Sequence, residues 1–77
     1  MNDYKDRMAT EYFELKERIS KLRNMLINWN LGELNFTPDC SYELLRAQLY
    51  VMKTYESILR ERARIENIDL KDGDDHE

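Results

Sequence analysis

The sequence is poor in the residues that break, staple or coordinate. Pro38, Gly32 and Gly73 are the only proline and glycines in 77 residues. None falls within residues 3–29 or 42–66, so two long stretches carry no internal helix breaker. Cys40 is the only cysteine, which excludes an intrachain disulfide. With His76 as the single histidine, the chain also lacks the ligands for a zinc site of its own. There is no Gly-rich phosphate loop, no nucleophile motif and no metal-ligand cluster, so neither an enzyme nor a cofactor is expected. No apolar run approaches the length of a membrane span and no signal peptide is read. A reducing cytoplasm and no membrane partner are the expectation.

Excess charge is confined to one end. Residues 69–77, DLKDGDDHE, hold five acids and one lysine, so of the chain's 16 acids and 12 bases the first 68 residues hold 11 and 11. A balanced body argues against general nucleic-acid binding, which needs a net basic footprint. It leaves room for a local basic patch.

What is present is helical periodicity. Met8, Tyr12, Leu15, Ile19, Leu22, Leu26 and Trp29 recur at spacings of four and three, an a/d seam of coiled-coil type on a helix of about 3–29. Asp3/Arg7, Glu14/Arg18 and Glu17/Lys21 are acid-first i,i+4 pairs that support it. A loop over 30–41 follows, then a second helix over about 42–66. Ser41 is the favoured N-cap, with Thr37-Pro38-Asp39 as a preceding turn. Asn67 suits a left-handed position at C′, and Ile68 the apolar contact that follows such a cap.

The two segments pair as antiparallel helices when residue numbers sum to 71. Trp29 then meets Tyr42, Leu26 meets Leu45, Leu22 meets Leu49, Ile19 meets Met52, Tyr12 meets Leu59 and Met8 meets Ala63. Leu15 falls on Glu56 but beside Tyr55. The expected fold is all-α, an antiparallel two-helix hairpin over 1–70 with an acidic tail over 71–77. Within the loop, WNLGELNFTPDCSY, Trp29 and Tyr42 close the core. Leu31, Leu34 and Phe36 are expected to plug the bundle end. Cys40 reads as a small buried turn residue, with a thiol activated by the helix N-terminus as the alternative.

An apolar remainder has no place in one hairpin. Leu44, Val51, Ile58 and Ile65 recur every seven residues, and Phe13 and Ile27 lie off the first seam. With Tyr55 they form the expected oligomer or partner interface. A core this small usually needs a further staple, so a dimeric helical bundle or higher homo-oligomer is expected. The plainer alternative is a broad apolar flank on a monomer.

Antiparallel packing also gathers Tyr4, Lys5 and Arg7 beside Arg60, Arg62 and Arg64 at the open end. Guanidinium groups fork onto phosphate oxygens and rings stack on bases, so these six are candidate ligands for a phosphate or base. The alternative is that they neutralise the helix dipole and the acidic tail. The tail offers its own reading, as a mimic of nucleic-acid phosphates in a partner's basic cleft, against that of a solubilising tail.

The segments DRMATEYFELKERISKL and FTPDCSYELLRAQLYVMKTYESILRERARIENIDL resemble a family of small helical proteins of phages and prophages of gut bacteria, including crAss-like phages. The shared first-helix positions are Arg7, Met8, Glu11, Tyr12, Glu14, Leu15, Lys16, Arg18, Lys21 and Leu22. They continue through Phe36, Thr37, Pro38 and Cys40 to Leu44, Leu45, Gln48, Leu49, Met52, Tyr55, Ile58, Leu59 and Arg62. Ser41 departs from the proline common after that cysteine. The resemblance covers residues 5–70 and implies a phage protein acting in the bacterial host cytoplasm. It brings no assigned active site. Three functions are compatible. The preferred one is that of a non-catalytic counter-defence protein that sequesters a cyclic nucleotide immune signal, broadly like anti-CBASS sponge proteins in architecture though sharing no motif with them. Another is inhibition of a host defence protein, of the anti-CRISPR type, through the apolar stripe or the tail. The last is a structural or regulatory phage component.

Overall fold

The computed structural model describes residues 3–70, which form α1 (Asp3–Asn30, 28 residues) and α2 (Tyr42–Glu66, 25 residues) packed as an antiparallel hairpin. No strand occurs among the described residues. The acidic stretch 71–77 lies outside them.

Each helix boundary has a local cause. α1 ends in a Schellman motif. Glu33 N–H donates to the Asn28 carbonyl at 2.8 Å, and Gly32 N–H to the Trp29 carbonyl at 3.0 Å. This requires a left-handed residue between them, and Gly32 supplies it at φ 71°. α2 begins at Ser41, whose extended backbone and hydroxyl oxygen, accepting from Leu44 N–H at 3.1 Å, make it the N-cap. It ends at Asn67, at φ 58°, the only non-glycine residue with positive φ among those described. There Ile68 N–H donates to the Ala63 carbonyl at 2.8 Å, and the Ile68 side chain folds onto the buried Ala63.

The core sits toward the open end of the hairpin. Met8, Tyr12, Leu15, Ile19, Leu59, Ala63 and Ile68 form one buried cluster, with Leu59 wholly enclosed. Phe13, Leu49, Met52 and Leu70 pack around it half-buried. Toward the loop, Leu26 is buried, while Leu22, Leu45, Trp29 and Tyr42 are half-covered. Trp29 and Tyr42 meet edge to face at 5.3 Å between centroids, and Asn30 Nδ2 donates to the Tyr42 hydroxyl at 2.7 Å. The expected last rung therefore forms, with a polar clasp above it.

Two expectations for the loop are corrected. Leu31 and Phe36 are 64% and 53% exposed, so they do not plug the bundle end. Only Leu34 is half-buried. The Trp29–Tyr42 pair already covers that end, which leaves the loop side chains outside a shallow hollow rimmed by Trp29, Leu34, Phe36 and Pro38. Cys40 is exposed, not buried, because it precedes the cap residue Ser41 and so lies outside the packed helix.

The second stripe lies open. Leu44, Val51, Ile58 and Ile65 are 50–64% exposed along one outer face of α2. Ile27, 47% exposed, lies on a different face, since it shares a flank of α1 with Arg23 four residues earlier. Phe13 is drawn into the hairpin's own core, edge to face with Tyr12 at 5.5 Å.

Concentrating the core near the termini predicts unequal sensitivity. Leu59→Ala is expected to cost about 3 kcal/mol, and Leu45→Ala at the half-covered loop end less than half of that. Urea denaturation followed by circular dichroism measures both.

Candidate functional site at the open end

The open end is built by the first turns of α1 and the last turns of α2. On one edge the chain alternates aromatic, basic and acidic groups. Tyr4 donates its hydroxyl proton to Glu66 Oε1 at 2.9 Å and accepts a hydrogen bond from Arg62. Arg62 also lies over the Tyr4 ring, 6.0 Å from its centroid, and within 3.6 Å of the Glu66 carboxylate. Two turns inward, Tyr55 donates to Glu11 across the helices. Tyr4, Arg7, Met8, Glu11 and Arg62 line a hollow of about 190 Å³ on this edge.

Electrostatics follow from these contacts. Bonding to Tyr4 and the proximity of Glu66 raise the Arg62 pKa, so its charge is fixed. The Tyr55 phenol is pushed above its ordinary range because ionisation would break its bond to Glu11 and oppose that carboxylate. Arg7, exposed on the rim, enters no ion pair among the described residues. The hollow thus offers one guanidinium outside any ion pair, a second braced by a phenol and paired with Glu66, the Glu11 carboxylate and an apolar floor at Met8. That arrangement can receive a small anion. Among the described residues no group of three or more His, Cys, Asp or Glu is placed to hold a metal ion.

Three of the six residues gathered by sequence converge here: Tyr4, Arg7 and Arg62. The other three do not line the hollow. Arg60 turns to the opposite edge, where it lies 2.9 Å from Glu56, and the nearby Tyr12 and Glu56 raise its pKa. Arg64 is held outward by Glu61, with its Nε donating at 3.2 Å, and Glu61 is lowered in pKa by that guanidinium. Lys5 is half-buried at the seam position one heptad before Tyr12. Glu11, Tyr55 and Glu66 belong to this edge too. The register carries their signal, because Glu11 with Tyr55 and Tyr4 with Arg62 share a sum of 66, five below the core rungs. Tyr55, placed by sequence in the outer interface, reaches Glu11 across the helices and stays 39% exposed.

A protein-family model described as Sequestin matches residues 2–65, and the chain belongs to that family. No curated protein sequence and no solved structure matches it. Among the described residues, no helix is long and apolar enough to cross a membrane.

The Tyr55–Glu11 strut predicts a titration signature. Stability that depends on the protonated phenol is present below the ordinary tyrosine pKa and is lost as pH rises through the raised one. Ultraviolet absorbance titration should show one tyrosine ionising above the rest, and Glu11→Gln should bring that pKa down.

Proposed function

From membership of the Sequestin family, we propose that this chain acts by binding and sequestering a ligand and has no catalytic activity. The ligand class is a cyclic nucleotide that serves as an immune signal. The setting is the bacterial cytoplasm during phage infection, as the resemblance to phage and prophage proteins implies. The observation that carries the reading is the open-end hollow, where Arg7 and the Tyr4-braced Arg62 face the same small space. Guanidinium pairs grip phosphate oxygens, and an exposed phenol ring beside them offers a stacking surface for a base. Sequestration needs tight binding and no bond breaking, and these groups supply contacts without a nucleophile or a metal.

The sequestering unit is a homo-oligomer closed along the outer face of α2. Leu44, Val51, Ile58 and Ile65 recur at one spacing over three heptads, so a second copy of the same stripe is a matched partner across a two-fold axis. Burying four such side chains is worth several kcal/mol, at roughly 25 cal/mol per Å², to a hairpin whose own core is small. The same stripe suits a host defence protein, which is the second reading, that of an anti-CRISPR type inhibitor.

Two measurements test the proposal. Thermal-shift screening against cyclic di- and trinucleotides should find a stabilising ligand, and Arg7→Ala with Arg62→Ala should weaken it at least tenfold. A shift left intact by both changes removes the site from the open end. Light scattering on the eluting protein should give at least a dimer, and Ile58→Asp should reduce it to a monomer. A native monomer sinks the self-association and favours the inhibitor.

A further inference from the structure

The register divides the hairpin into two edges of different character. Taking Leu15 and Leu22 on α1, and Leu45, Met52 and Leu59 on α2, as d positions, the next residue in each heptad is e. In an antiparallel pair the e positions of both helices flank one edge of the seam and the g positions flank the other. The g edge is the one already described, where Glu11 meets Tyr55 and Tyr4 meets Arg62. On the other edge the e residues are Ala9, Lys16, Arg23 and Asn30 from α1, and Arg46, Lys53, Arg60 and Asn67 from α2. Five of these eight are cations and none is an acid. The register puts this row on the side of the seam opposite the g edge.

Such an edge is unfavourable on its own. Flanking positions of a helical pair ordinarily carry opposite charges that attract across the seam. Like charges brought to neighbouring positions repel by amounts similar to what an ion pair gains. Arg60 is relieved by Glu56 at 2.9 Å. Toward the loop no such relief occurs, because Arg23, Arg46 and Lys53 enter no ion pair among the described residues. All three are exposed. Between Arg46 and Lys53 the α2 surface is hollowed by about 120 Å³, lined also by Leu49 and Tyr50. Tyr50 stands there 74% exposed, the most open large apolar side chain described. An isolated tyrosine this open has no packing role in the hairpin, yet it offers a flat ring between two cations at i−4 and i+3.

We infer that this cationic edge is a second ligand site, separate from the open-end hollow, and that it takes a nucleotide bearing at least two phosphate groups. Arg46 and Lys53 lie about 10 Å apart along α2, at roughly 1.5 Å per residue, a span over which two linked phosphates can engage one cation each. Arg23, at the e position of α1 that the register sets opposite Lys53, adds a third cation to the edge. Tyr50 stacks on the base while the guanidinium groups fork onto the phosphate oxygens. Ligand binding removes the repulsion that the free hairpin carries, so binding and stability are coupled at this edge.

Backbone amide NMR on the full chain, titrated with ADP as the probe, locates the site. The expected result is shifts centred on Arg23, Arg46, Tyr50 and Lys53, and at least a tenfold loss of affinity in R46A/K53A. All three basic positions are exposed, so the variants keep the fold, which circular dichroism verifies. Arg23→Glu is the sharper test. It should raise Tm of the free protein by about 2 °C or more, by turning repulsion into attraction, while abolishing ADP binding. A lowered Tm with ADP binding retained overturns the inference. So do shifts confined to Tyr4, Arg7 and Arg62, which would leave the open-end proposal standing. Loss of ADP binding in R46A/K53A but not in the Arg7 and Arg62 variants supports this edge and leaves the open-end site to its own cyclic-nucleotide screen.

Discussion

The antiparallel register is the constraint on which the rest of the molecule depends. Six apolar rungs fall on one sum, and that alignment sets which residues end up buried, which edge each polar side chain joins and which turns meet at the open end. Its one polar seam position shows how strictly it is held. Glu56 stands where an apolar partner of Leu15 would sit, yet the helices do not slip to avoid it. Its carboxylate, 17% exposed, reaches sideways to Arg60, and the neighbouring Tyr55 spans the seam to Glu11 instead. A slip of one residue would turn every apolar side chain of α2 through about 100° and strand the core, a far larger loss than one displaced carboxylate.

Most of that architecture is legible in the sequence, because it rests on periodicity and on caps whose chemistry is local. Ser41, Asn67 and Ile68 declare the ends of α2 through hydrogen bonds that each residue type makes on its own, and the heptad seam declares the pairing. The loop is not legible in the same way. Leu31 and Phe36 are apolar but belong to no repeat, and burying them needs space that the Trp29–Tyr42 pair already occupies. The candidate site is legible by half. Antiparallel packing brings Tyr4, Arg7 and Arg62 together, but nearness to one end of a helix does not say on which side of it a residue lies. Arg60, Arg62 and Arg64 are near in number and point three ways, because successive residues turn through about 100° and because Glu56, Glu66 and Glu61 each pull one of them. Surface ion pairs of this kind are worth about 1 kcal/mol or less, so they orient side chains without deciding the fold.

The two edges of the seam handle charge in opposite ways. On the g edge, phenols and carboxylates interleave with arginines, and the charge is largely spent inside the molecule. The e edge concentrates cations with no acid in the row. An overall balance of 11 acids and 11 bases in the first 68 residues conceals this division, because composition carries no information about direction around a helix. A protein whose net charge argues against polyanions can still offer a narrow cationic strip to a small one, since interaction between exposed charges fades beyond about 8–10 Å at ordinary ionic strength.

The placement of the core has a mechanical consequence. The wholly enclosed Leu59 and its neighbours join residues some fifty positions apart, while the covalent link between the helices sits at the looser end. The molecule is therefore a clip fastened at its free tips and not at its bend. The loop holds little of the grip, so it is free to lengthen, shorten or change in sequence with modest entropic cost. Variation there would leave both edges of the seam where they are.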